Sequence, residues 1–97
     1  MIRKTYLKKI ESTLEDLGDE IAKLKVKAEK AEKEVKGIYK EQLEGLRSKQ
    51  EVALERFREL REAGADDWGR FKSGVEESMK DLRKAVESAI EKLRKTA

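Results

Sequence analysis

Glutamates fall in pairs three or four residues apart, Glu41 with Glu44 and Glu51 with Glu55. On a helix that spacing puts two carboxylates on one face. Such pairs hold di-iron centres in helical bundles, where a Glu-x-x-His motif completes the site. The chain has no histidine, so the pairs read as solvated surface charges, and neither a metal nor a cofactor is expected. It has no cysteine either, which excludes disulfides, thiolate zinc sites and a cysteine nucleophile. Acid–base work would fall to carboxylates or lysines in a pocket. No carboxylate interrupts the apolar lines traced below, and no serine sits in a strand–turn–helix elbow. The glycines are isolated and form no loop that could cradle a phosphate. No catalytic activity is expected.

Cations offer a second chemistry. Arg3, Lys4, Lys8 and Lys9 open the chain, and Lys23, Lys25, Lys27, Lys30 and Lys33 follow. A basic coil grips phosphates without reading sequence. Here acids interleave from Glu11 onward: residues 1–40 hold eleven cations and eight acids. The whole chain carries only +3, with a pI near 9.1. No base-reading element is visible, so nucleic acid is not the expected partner. An anionic membrane surface stays open as an alternative, because charged amphipathic helices can lie on lipid.

The elements that carry these residues follow from composition and spacing. Charged residues make up 46% of the chain and proline is absent. Ala, Glu, Lys, Leu and Arg supply roughly three-fifths, above the level of about half that marks coiled coils. The apolar residues are not scattered, as they would be in a disordered chain. Leu7, Ile10, Leu14, Leu17, Ile21, Leu24, Ala28 and Ala31 step by three and four, an a/d heptad seam. After Ala31 the line runs through Val35, Tyr39 and Leu43 in steps of four, which reads as a stutter. It continues through Leu46, Ala53, Phe57 and Leu60. Gly37 and Gly45 are weak breakers without turn residues beside them. Glu29–Lys33 and Glu32–Lys36 are favourable i,i+4 pairs. The spacing therefore predicts one helix over 4–62, with a break near Gly37 as the alternative.

Ala63-Gly64-Ala65-Asp66 is the turn, at residues 63–66. Gly64 suits a left-handed position past a helix end, and Asp66 suits an N-cap. A second helix over 67–95 then runs back, with the spine Trp68, Phe71, Val75, Met79, Leu82, Val86, Ala89 and Leu93. Trp68 and Phe71 are expected to plug the hairpin end against Phe57 and Leu60. The fold class is all-α: residues 1–97 form a single coiled-coil unit, a long helix with a shorter antiparallel one.

The stretch Leu60-Arg61-Glu62-Ala63-Gly64-Ala65-Asp66-Asp67-Trp68-Gly69-Arg70-Phe71-Lys72-Ser73-Gly74-Val75-Glu76 resembles small bacterial proteins known as coiled-coil domain-containing, of unassigned function. They share a Lys/Glu/Ala-rich first helix, so the resemblance covers most of the chain. It implies a helical hairpin and a bacterial origin, and brings no activity.

The two helices differ in length. The second spans about 44 Å at 1.5 Å per residue, the first about 88 Å. The second can cover only the C-terminal half of the first, so the seam Leu7 to Ala31 is left for a partner. The cheapest partner is a second copy. The expected protein is an elongated homodimer of hairpins, antiparallel about residue 33, with a further, unidentified protein partner also possible. The hairpin seam is Tyr39, Leu43, Leu46, Phe57 and Leu60 against Trp68 to Leu93. No signal peptide or apolar span is visible, and a cytoplasmic location is expected.

Overall fold

The structure is a computed structural model that describes residues 2–96. It contains three helices in chain order: α1 (Ile2–Lys30), α2 (Lys33–Glu62) and α3 (Trp68–Thr96). They lie side by side, α2 antiparallel to its neighbours, in a bundle of 51 × 18 × 17 Å. The long dimension is close to that of one 29-residue helix at 1.5 Å per residue, about 44 Å, and far short of the 88 Å rod. No helix among the described residues is long and apolar enough to cross a membrane.

The all-α expectation and the α2–α3 hairpin hold. The single helix over 4–62 does not. The chain breaks at Ala31 and Glu32, ahead of Gly37, which lies inside α2 with open space around it. Glu32 leaves the helical region with φ −66° and ψ 153°, and makes no side-chain cap. Its carbonyl accepts the Val35 and Lys36 N–H groups at 2.9 and 3.1 Å, which starts α2. Local propensity favours continuity here, and tertiary burial overrides it. The bend buries Ile10, Leu14, Leu17, Ile21 and Leu24. Burial at about 1.5–3 kcal/mol per side chain gives on the order of 10 kcal/mol. The few water-exposed helical hydrogen bonds lost at the joint are worth only about 1 kcal/mol each. The phase shift after Ala31 marks this joint.

The second turn is also built differently. Gly64 has no positive φ. Helix α2 ends because Ala63 turns extended (φ −67°, ψ 140°), its N–H still reaching Leu60 O at 3.1 Å. Gly64 O then accepts the N–H groups of Asp67 and Trp68, at 3.2 and 3.0 Å. Asp67, not Asp66, stands before α3, and its carboxylate is engaged by Arg70 at 3.1 Å. The turn residues 63–66 therefore extend by one.

The core is a single cluster. Ala53, Leu60, Val75, Leu82 and Ala89 are wholly covered, and no polar or charged residue is buried among the described ones. The five buried residues of α1 keep 4–8% exposure, as do Leu43, Phe57 and Met79, which line the grooves beside α1. The α2–α3 seam is thus the sealed part of the bundle and α1 the less sealed part. Leu82→Ala should cost about 3–5 kcal/mol of unfolding free energy and Leu17→Ala about 2–3. Urea denaturation followed by circular dichroism measures both.

Candidate interaction surface

Helix α1 is held at its N-terminal end by a cluster that joins it to the α2–α3 loop and to α3. Arg3 Nη2 donates to Ala63 O at 2.8 Å and lies near Gly64 O at 3.3 Å. Its guanidinium sits 4.2 Å above the Trp68 ring. Tyr6 meets Trp68 edge to face, with centroids 6.0 Å apart and planes at 72°. The Tyr6 hydroxyl donates to Glu76 Oε1 at 3.0 Å. Lys72 lies 4.9 Å from the Tyr6 ring and 3.9 Å from the same Glu76 oxygen. An exposed cation–π contact contributes about 0.5–1 kcal/mol, and an aromatic pair a similar amount. The cluster thus closes the α2–α3 loop with groups from α1.

Trp68 is half-buried and packs against the core cluster that contains Phe57 and Leu60, with Arg3 and Tyr6 as further ring neighbours. Phe71 is also half-buried, with Arg70 5.0 Å from its ring centre. Tyr6 is not singled out by the sequence, and Arg3 only as one cation of the basic start, because neither lies on the heptad seam. Their signal is positional: Tyr6 stands beside Leu7 at the end of an apolar stripe, where an aromatic can fold over the bundle end.

The other seam residues fall where the spacing puts them. In α1, Ile10, Leu14, Leu17, Ile21 and Leu24 are buried and Leu7 and Ala28 are half-buried, as is Ala31 in the joint. In α2 and α3, Tyr39, Leu43, Leu46, Phe57, Leu60, Val75, Met79, Leu82, Val86 and Leu93 are buried. The difference lies in what covers the α1 stripe. It packs on the chain's own α2 and α3, so the stripe is not left open for a second copy in this bent form.

Near the α1–α2 joint a groove of about 390 Å³ runs between these helices. Ala28 and Leu43 contribute apolar surface, and Lys25, Lys36, Lys40 and Arg47 stand around it with Glu29 and Glu44. Such a surface can attract an anionic group with an apolar part. Among the described residues no set of three carboxylates is placed to hold a metal ion. Compared with family models, curated proteins and solved structures, the chain matches none of them.

Among the described residues, Tyr6 carries the one strong shift in proton affinity. Burial, then the hydrogen bond to Glu76, then the Glu76 charge push its hydroxyl up from 10.0 to about 12. The folded state holds this proton more tightly than the unfolded state. Its contribution is complete below pH 10 and is lost as pH rises through about 12. Tyr6→Phe should remove that part of the alkaline fall in stability, and lower stability near neutrality by about 1 kcal/mol. Denaturation midpoints of both chains between pH 7 and 11.5 give the comparison.

Proposed function

We propose that the chain is a non-catalytic helical interaction module. The α2–α3 hairpin is its frame, and α1 is the element that can give way to a partner helix. The observation that carries this reading is the uneven sealing of the core. Apart from Tyr39, the core residues that keep the most exposure are those of α1 and those lining the grooves beside it, whereas Ala53, Leu60, Val75, Leu82 and Ala89 are closed. Elements that move to admit partners come from the low-stability end of a fold. A heptad stripe is also what an incoming amphipathic helix recognises. A cysteine-free chain with this role suits a reducing compartment such as the cytoplasm.

Native-state hydrogen exchange tests the reading directly. Amides of residues 10–24 should exchange roughly tenfold or more faster than those of residues 75–89, in a sub-global opening. A single opening free energy for all three helices would refute it.

A second reading draws on the groove of Lys25, Lys36, Lys40 and Arg47 around Ala28 and Leu43. On it, the helices open and lie on an anionic surface, with binding that weakens as salt rises. Flotation with vesicles containing anionic lipid, at low and high salt, decides this. Protein that stays at the bottom at low salt ends the second reading.

A further inference from the structure

The joint between α1 and α2 has the chemistry of a helix and the shape of a bend. Ala31 and Glu32 are both helix formers, with no Gly, Pro, Asn, Asp or Ser beside them. Among the described residues none has a positive φ, and no side chain caps the start of α2. The chain leaves the helix at Ala31 and Glu32, where Glu32 has a ψ of 153°. Returning these two residues to the helical region would join α1 and α2 into one helix. The apolar line Leu24, Ala28, Ala31, Val35 already continues through the joint. Glu29 would then face Lys33, and Glu32 face Lys36, at i,i+4 in the favourable order.

Burial requires only that the α1 stripe be covered, not that the covering helices belong to the same chain. Two observations say that a second copy can cover it equally well. First, α1 and α2 have 29 and 30 residues, so each arm of a straightened helix matches the arm it must pair with. Second, the register within one chain is centred close to the joint. A Cβ at Gly18 would lie 3.3 Å from Gln50 Nε2, and the midpoint of 18 and 50 is residue 34. Two straightened helices laid antiparallel about that point remake the same pairing between chains. Ala31 and Gly37 sit opposite one another at the crossing, where small residues let the backbones approach.

We infer that Ala31–Glu32 is a hinge through which two copies of this chain exchange α1, forming an antiparallel two-fold dimer. Each α1 packs on the partner's α2–α3 hairpin, and the joint becomes helical. The inference rests on the reading of α1 as the exchangeable element and names its partner. Short joints whose local preference opposes the bend are where such exchange arises. High protein concentration favours the dimer, and the two-residue tether favours the bent monomer on dilution.

The test reads which chain supplies α1. The double variant Gly18→Cys/Gln50→Cys places two thiols at facing positions in a chain that has no other cysteine. The full chain is refolded at low and at millimolar concentration and treated with a short bis-maleimide. At high concentration the expected product is a cross-linked species of twice 11.2 kDa, and on dilution an intrachain product. Adding Lys33→Pro should leave only the intrachain product at every concentration. A proline there fits the bent form, because Glu32 already has the extended backbone that precedes proline and position 33 is the first of a helix. In the straight helix it would remove a hydrogen bond and clash with the previous turn. As a second arm, Ala31→Gly/Glu32→Gly should lower the interchain fraction roughly tenfold by weakening the helix at the joint.

Intrachain product alone at all concentrations overturns the inference. So does a doubled solution mass with intrachain cross-links only, or an interchain product that survives Lys33→Pro. The exchange experiment separates the two failures: fast-exchanging α1 amides with no interchain product leave α1 exchangeable and remove the second copy as its partner.

Discussion

A helix whose apolar surface is one narrow stripe leaves water only when another such stripe lies against it. This chain carries three, and each must be covered at once. That requirement sets the rest. It fixes the antiparallel run of α2 against its neighbours, bends a segment whose own preference is to stay helical, and places the charges outside. Surface ion pairs such as Glu20–Lys23 and Arg56–Glu59 run within single helices, so they support helices and say little about which helix packs on which. Exposed pairs of this kind contribute well under 1 kcal/mol. The seams decide the architecture.

The seams were legible because a two-in-seven pattern is readable wherever no tertiary contact disturbs the phase. Tyr39 to Leu60 and Val75 to Leu93 are buried as their spacing indicates. The joint was not legible in the same way. Its residues favour a helix, and the bend exists because distant stripes reward it, a fact that no window around Ala31 contains. The shift in step length after Ala31 was present, but a stutter and a bend share that signature. The turn at Gly64 shows the same limit on a smaller scale. A glycine after a helix suggests a left-handed cap, yet Ala63 ends α2 in an extended conformation and Arg3, about sixty positions away, donates to the loop carbonyls. As for the candidate surface, the stripe of α1 was visible and its covering was not, since the length mismatch vanished once the first helix became two.

The bend also changes what self-association means. The sequence argument for a partner was an uncovered stripe. In the bent chain that stripe is covered, so a second copy is not needed to hide apolar surface. What makes a second copy interesting is the equality of the arms. A helical segment folded back near its middle, as α1 and α2 are, is complementary to itself, and the same complementarity is offered to any identical segment. On the inferred exchange, intrachain and interchain packing would compete through concentration and through the conformation of the joint, not through different contacts.

One further consequence follows from the dry core. With no polar group buried among the described residues, the seams contain only shapes that are nearly interchangeable from one heptad to the next. Aliphatic stripes tolerate a slide of seven residues, about 10 Å along the axis, far better than a core pinned by a buried amide would. The Arg3, Tyr6 and Trp68 cluster lies at the bundle end and has no equivalent one heptad further along the sequence. It therefore acts as an index mark: the stripes hold the helices together, and this corner tells α1 where along the hairpin to stop.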